Sequence, residues 1–148
     1  MLRGMTAHPI LGPVFALVAW TTCILLLVAY RRVRPFGGER AHPREFALGE
    51  SPKVPAAARL ANRNYMNLFE LPVLFYVGCL VAVVANAETS TLVALAWAYV
   101  AFRVVHSVIH VTYNHVLHRF YAFAASNAAL IAIWALLAMN LLGARAGA

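Results

Sequence analysis

Residues 91–113 read TLVALAWAYVAFRVVHSVIHVTY, and this stretch combines the two features that decide how the chain folds. It is apolar over about the length that a helix needs to cross a hydrocarbon core of ~30 Å at ~1.5 Å per residue. It nevertheless carries Arg103, His106 and His110 inside the apolar run. Because ionisable side chains at membrane depth rarely face lipid, the stretch predicts a membrane helix with its polar face turned towards other protein.

Three further apolar stretches of similar length occur in the sequence. A backbone in lipid must satisfy its own hydrogen bonds, so all four stretches are predicted to be helices. With a polar lead-in to the second, the predicted helices lie at about 9–30, 56–87, 91–113 and 119–142. The two short connections make sequential helices antiparallel. The predicted fold is therefore all-α, an integral membrane four-helix up-down bundle that forms a single domain over residues 1–148.

The composition also excludes an ordinary soluble domain. Hydrophobic residues make up 63% of the chain and charged residues 11%, whereas soluble domains average roughly 45–50% and ~25%. The net charge of +7 would suit a nucleic-acid partner, but the basic residues cluster between the apolar stretches. Membrane topology and anionic lipid headgroups account for that pattern, so lipid is the expected partner and nucleic acid is not.

The basic residues also predict the orientation of the bundle. Of the twelve, nine lie in the polar loop at 31–55, at the start of the second helix or in the third connection. An excess of positive charge marks the cytoplasmic side, so both termini are expected on the opposite side. The first stretch has no A-x-A cleavage site and is expected to remain as a helix. The Ala-, Val- and Arg-rich usage favours a bacterial inner membrane.

A second polar face opens the predicted second helix, at Arg63, Asn67 and Glu70. Spacings of four and three place these residues on one side of a helix. Together with the polar face of 91–113 they predict a pocket on the cytoplasmic side of the bundle. Arginine binds carboxylates in a bidentate fork, and Glu70 would suit an ammonium group. The alternative is structural: Glu70 pairs with Arg103 or Arg63 and only locks the bundle.

The histidines allow a further, less favoured interpretation. The patterns His106-x3-His110 and His115-x2-His118 resemble the histidine boxes of membrane di-iron hydroxylases, and an i, i+4 histidine pair can ligate metal. A centre of that kind uses about eight histidines, and this chain has six. A histidine-ligated, metal-dependent oxidase is therefore the weaker alternative, and no metal site is predicted. Cys23 and Cys79 lie in apolar runs and are expected to be small buried side chains.

At the two polar faces the chain resembles the MAPEG family, the membrane-associated proteins in eicosanoid and glutathione metabolism. The resemblance starts at Arg63-x3-Asn67-x2-Glu70, which Pro72, Leu74 and Phe75 follow. It continues at Arg103-Val-Val-His106-Ser107-Val and ends at Arg119, sixteen residues after Arg103. The later segment looks most like the microsomal prostaglandin E synthase and glutathione transferase branch.

This resemblance implies a homotrimer that binds glutathione, as a thiol cosubstrate, between subunits near the cytoplasmic face. The glutathione-binding residues that it implies are Arg31, Arg63, Asn67, Glu70, Arg103, His106, His110 and Tyr113. Arg103 and His106 would reach the peptide from the neighbouring subunit. The catalytic residue that it implies is Arg119, because a cation beside the sulfur favours the nucleophilic thiolate.

The function implied is a glutathione-dependent transferase or peroxidase that acts on hydrophobic electrophiles or lipid hydroperoxides. The alternative is a non-catalytic lipid-binding or assembly protein of the same fold. This chain has His110 where the prostaglandin branch has a tyrosine, and Phe120 where it has a serine. These departures argue against prostaglandin synthesis itself.

Overall fold

A computed structural model describes residues 7–33 and 54–143 of the chain. Most of the predicted polar loop at 31–55 lies outside these ranges, as do both ends of the chain. Every regular element within the described residues is helical. The helices are α1 (Leu11–Val33), α2 (Ala56–Asn67), α3 (Pro72–Val84), α4 (Ser90–Val111) and α5 (Val116–Gly143).

These helices form four spans that are long and apolar enough to cross a membrane. The spans are Leu11–Val33, Ala56–Val84, Ser90–Val111 and Val116–Gly143, with mean hydropathies between 1.8 and 2.3. Large apolar side chains on the outer faces are exposed, among them Leu26 on α1 and Ile131 on α5. Lipid is the solvent that suits such a surface. The prediction of an all-α membrane bundle with four spans is confirmed.

The second span is divided where the sequence led us to expect one helix. Pro72 lies in the first turn of α3, and residues 68–71 separate it from α2. Proline has no N–H to donate, and its ring clashes with the carbonyl four residues earlier. Short i→i−3 bonds bridge the break, such as Phe69 N to the Met66 carbonyl at 2.9 Å and Leu74 N to the Leu71 carbonyl at 3.0 Å. The break leaves Glu70 exposed at the end of α2.

The apolar core lies between α1, α3, α4 and α5. In this core Phe75 stacks on Tyr99, with ring centroids 4.6 Å apart. Leu17 and Ile133 are fully buried in the same core. Cys79 is buried there as expected, but Cys23 lies on the exposed face of α1. The sequence shows only that both cysteines are in apolar runs, and in a membrane bundle such a run has a lipid-facing side as well as a buried one.

Two tight turns join the last three spans, and each contains an asparagine with positive φ. Asn86 (φ 51°) lies between α3 and α4, and Asn114 (φ 47°) lies between α4 and α5. Asparagine is among the few non-glycine residues that tolerate this left-handed conformation. The hydroxyl of Thr89 then caps α4 by accepting a hydrogen bond from Leu92 N at 3.2 Å. The second of these turns holds the polar end of α4 beside the start of α5.

Candidate functional site

A cavity of about 490 Å³ opens between α2, α4 and α5. Its polar wall is formed by Arg63, Asn67, Glu70, His106, His110 and Arg119. Its apolar wall is formed by Met66, Val116, Phe120 and Phe123. Six of the nine site residues predicted from the sequence therefore line one cavity within a single chain. Two wall chemistries side by side suit a ligand, or a pair of ligands, with one charged and one apolar part.

A hydrogen-bonded chain connects α4 to the end of α2 behind this cavity. Arg103 donates from Nη1 to Oδ1 of Asn67 at 2.9 Å, and Asn67 donates from Nδ2 to Oε2 of Glu70 at 3.0 Å. The arginine and the glutamate are thus linked through the amide rather than as a direct pair. Because Asn67 uses one end of its amide on each partner, its orientation in the cavity wall is determined.

Arg103 is the largest fully buried side chain in the described part of the protein, with 0% of its surface exposed. Its Nε donates to the Tyr99 hydroxyl at 3.1 Å. Its guanidinium carbon also lies 5.4 Å from the centre of the Phe123 ring, within cation–π distance. Arg103 therefore lies behind the cavity wall, where it holds Asn67. Its predicted contact with a peptide bound by a neighbouring subunit stays a prediction.

Two histidines of α4 lie next to each other in the polar wall. Nδ1 of His106 is 3.0 Å from the backbone carbonyl of Arg119. The rings of His106 and His110 meet edge to face, with centroids 5.7 Å apart. His106 is 5% exposed and His110 is 7% exposed. Nδ1 of His110 has no hydrogen-bond partner among the described residues. A buried polar atom of this kind is costly unless a ligand or a water molecule bonds to it, so a polar partner in the cavity is expected.

Arg119 is held by a residue that the sequence motifs did not single out. Its Nη1 donates to Oδ1 of Asn114 at 2.8 Å. Asn114 occupies the left-handed position of the α4–α5 turn, and its own N–H bonds the Ile109 carbonyl at 2.8 Å. An asparagine in a short turn, five residues before a predicted catalytic arginine, is the signal that sequence reasoning could have used.

Two of the predicted site residues lie away from the cavity. Arg31 donates from its two terminal nitrogens to the backbone carbonyls of Ala57 and Val111, each at 3.0 Å. It thereby ties the end of α1 to the start of α2 and the end of α4. Tyr113 is exposed, and its hydroxyl is 3.2 Å from Nδ1 of His118. Neither side chain lines the cavity of the single chain.

The histidine patterns are also separated by the fold. His115 in the α4–α5 turn packs on His118 in the first turn of α5, with ring centroids 4.3 Å apart. No group of three or more His, Cys, Asp or Glu side chains within residues 7–33 and 54–143 could hold a metal ion. His42 lies outside the described residues.

Comparison with known proteins gives one match. The family model of the MAPEG family matches residues 10–139. No curated protein and no solved structure matches the chain. The matched range covers the first three helical spans, the fourth span up to residue 139, and every residue of the cavity wall. Since that range is nearly the whole chain and the fold is a four-span helical bundle, the protein belongs to the MAPEG family.

Proposed function

We propose that the protein is a glutathione-dependent transferase or peroxidase, which acts on hydrophobic electrophiles or lipid hydroperoxides within the bilayer. The observation that carries this proposal is the cavity with its two unlike walls. One wall brings Arg63, Arg119 and Glu70 to the same space, and the other is lined by Phe120 and Phe123. Membership of the MAPEG family, which includes glutathione-dependent transferases and peroxidases, supports the same assignment.

The polar wall suits a small peptide that has carboxylates at its ends and one ammonium group. Arg63 lines the cavity, and its guanidinium suits a carboxylate in the bidentate geometry that it prefers. Glu70 offers a carboxylate to the ammonium group, and it is already oriented by the Asn67 amide. A volume of about 490 Å³ lies within the usual range for small-molecule pockets.

The apolar wall suits the second substrate. Phe120 lines the cavity and is also 58% exposed on the outer surface of the bundle, where lipid is expected. A hydrophobic electrophile could therefore reach the cavity from the bilayer without crossing water. The Arg119 guanidinium would stabilise the thiolate that attacks it, since a nearby cation favours the charged form of a thiol.

We further propose a homotrimer in a bacterial inner membrane, with both termini on the non-cytoplasmic side. The charges of the described residues support this orientation. Arg31, Arg32 and Arg59 lie at the same end of the bundle as the cavity, whereas Glu88 lies at the opposite end. Positive charge is retained on the cytoplasmic side of membrane proteins. The homotrimer is proposed from membership of the MAPEG family.

A non-catalytic lipid-binding protein is the second candidate. It is favoured by the same exposure of Phe120, because a cavity open to lipid can hold a headgroup in its polar wall and an acyl chain along its apolar wall. The two candidates differ in what glutathione does. A transferase binds the peptide and consumes it in the presence of an electrophile, and a lipid carrier does neither.

The test is a thermal melt of the detergent-purified protein with and without millimolar glutathione, followed by turnover with an activated aryl halide and a fatty-acid hydroperoxide. A ligand at about 100 times its Kd stabilises the folded state by ~2.7 kcal/mol. We expect a rise in Tm that Arg63→Ala abolishes. The matched control is Arg59→Ala, which removes the same charge from the same helix outside the cavity wall. No rise in Tm, no turnover and a co-purifying lipid would support the second candidate instead.

A further inference from the structure

The contact between His106 and the backbone of Arg119 determines which ring nitrogen carries the proton. A carbonyl oxygen can only accept a hydrogen bond, so the Nδ1 atom that lies 3.0 Å from it must be the donor. In the neutral ring the other nitrogen, Nε2, is then an acceptor. The bond is made to the backbone at the start of α5, so it holds the ring in place whatever the Arg119 side chain does.

The ring held in this way belongs to the cavity wall. His106 lines the cavity together with Arg119, the residue whose guanidinium we place beside the reacting sulfur. It is 5% exposed, so little of the ring is open to solvent. Nε2 of His106 is thus a fixed hydrogen-bond acceptor in the same cavity as Arg119, which would stabilise the thiolate. General-base catalysis needs an acceptor that is held in this way.

We propose that Nε2 of His106 accepts the proton of the bound thiol, which makes His106 a catalytic residue. This inference rests on the proposed glutathione-dependent function. The S–H bond breaks, its electron pair stays on sulfur, and the proton passes to Nε2 to form an imidazolium. The sulfur then forms a bond to the electrophilic carbon, and the leaving group departs with its bonding electron pair. The imidazolium returns its proton to the leaving group when that group is an alkoxide, and to water when it is a halide, so the histidine is neutral again at the end of the cycle.

Charged or titratable side chains lie around His106 on each of the elements that pack against it. On α4 it is flanked by His110 and by the buried Arg103. Arg119 faces it from α5. Arg63 on α2 and Glu70 just after α2 face the same cavity. An imidazolium surrounded by three arginines is short-lived, which favours return of the proton once the leaving group forms.

His110 provides an independent indication that a ligand reaches this corner of the cavity. Its ring is nearly perpendicular to that of His106, and its buried Nδ1 has no partner among the described residues. A peptide group of the bound thiol compound could bond this atom. His110 is therefore assigned to binding, while proton transfer is assigned to the ring that the backbone holds.

The test compares two substitutions in the full-length protein. His106→Asn keeps a donor near the position of Nδ1, so it preserves the bond to the carbonyl, but it has no basic nitrogen. We expect kcat at neutral pH to fall about 100-fold, which is the lower end of what a general base contributes, with little change in KM for glutathione. His115→Asn is the control, since His115 lies in the exposed turn outside the cavity. We expect its kcat to match that of the parent protein.

Two further measurements separate proton transfer from a structural role. In the parent protein kcat should rise with pH as the imidazole loses its proton, and in His106→Asn that limb should disappear. The ultraviolet absorbance of bound thiolate should also be lower in His106→Asn at neutral pH. If His106→Asn proves too unstable to purify, His106→Gln places an amide nearer the Nε2 position and is subjected to the same measurements.

The outcomes distinguish failure of this inference from failure of the proposed function. A parent protein that shows neither glutathione binding nor turnover overturns both. A parent protein that turns over, together with a His106→Asn variant whose kcat and pH profile match it, overturns only the assignment of His106. Loss of kcat and of the thiolate band, with binding retained, supports it.

Discussion

The side chain of Asn114 holds the guanidinium of Arg119, with 2.8 Å between Oδ1 and Nη1. The asparagine lies in the turn that reverses the chain between α4 and α5, and the arginine lies in the first turns of α5. The turn that builds the bundle therefore also orients the residue that we place at the reacting sulfur. Hydrogen bonds from a neighbouring side chain hold catalytic groups within the narrow geometry that reaction needs.

Removal of the Asn114 side chain should lower turnover without removing the binding site. We expect Asn114→Gly to reduce kcat about 10-fold, because glycine accepts the left-handed backbone but leaves Arg119 unheld. Asn114→Asp retains the acceptor and should preserve most of kcat. Steady-state kinetics with an activated aryl halide would measure both.

Asn86→Gly is the matched control for this prediction. Asn86 has nearly the same backbone conformation, φ 51° against 47°, in the turn at the opposite end of the bundle. Equal losses of kcat in Asn86→Gly and Asn114→Gly would show that the turns matter only for folding, and would contradict the assigned role of Asn114.

Substitution of Arg119 itself should separate catalysis from binding. We expect Arg119→Ala to lower kcat about 100-fold, as is typical when one electrostatic stabiliser of a developing charge is removed. Glutathione affinity should change little, because its proposed carboxylate partner, Arg63, lies on α2 and its proposed ammonium partner, Glu70, lies just after α2. The bond from His106 goes to the Arg119 backbone and should survive the substitution. Calorimetric titration with glutathione would measure the affinity, and steady-state kinetics would measure kcat. Unchanged turnover would remove Arg119 from the mechanism.

Loss of Asn67 should destabilise the protein through Arg103. Asn67→Ala leaves Nη1 of a fully buried guanidinium without its acceptor. A hydrogen bond to a charged group contributes about 2 kcal/mol, so a clear fall in Tm is expected in detergent. Glutathione should also bind more weakly, because Glu70 loses the amide that orients it.

The control for the Asn67 prediction is Asn62→Ala on the same helix. Asn62 lines the cavity, but its side chain makes no hydrogen bond to another described residue. Its substitution should leave Tm within a degree or so of the parent value. A fall in Tm as large as that of Asn67→Ala would mean that the Arg103–Asn67 bond is not what stabilises this region.

A contact at the opposite end of the bundle should contribute to stability alone. Glu88 lies 2.7 Å from Nδ1 of His8, and its other carboxylate oxygen accepts from Ile10 N at 3.3 Å. Glu88→Ala removes both contacts where they tie the start of α1 to the α3–α4 turn. We expect a loss of about 1 kcal/mol in the free energy of unfolding, with kcat unchanged. Thr91→Ala, an exposed substitution nearby, should change neither. A drop in kcat for Glu88→Ala would show coupling between the two ends.

Much of the fold follows from local features of the sequence. Four apolar stretches of membrane-spanning length leave the backbone no option but helix, since lipid offers it no hydrogen bonds. The spacing of Arg63, Asn67 and Glu70 places them on one face, and the structure does bring them to one cavity. The division of the second span was not expected, although the cause, Pro72, is visible in the sequence.

The number of spans, their helical character and the polar faces of two of them can therefore be read from the sequence. Spacing specifies which residues share a side of a helix, and it says nothing of how that side is rotated against another helix. Helix packing brings Arg103 to Asn67 of the same chain, and it directs Arg31 to backbone carbonyls instead of to the cavity. Packing of side chains between helices sets those rotations, and one turn, through Asn114, sets the direction of Arg119.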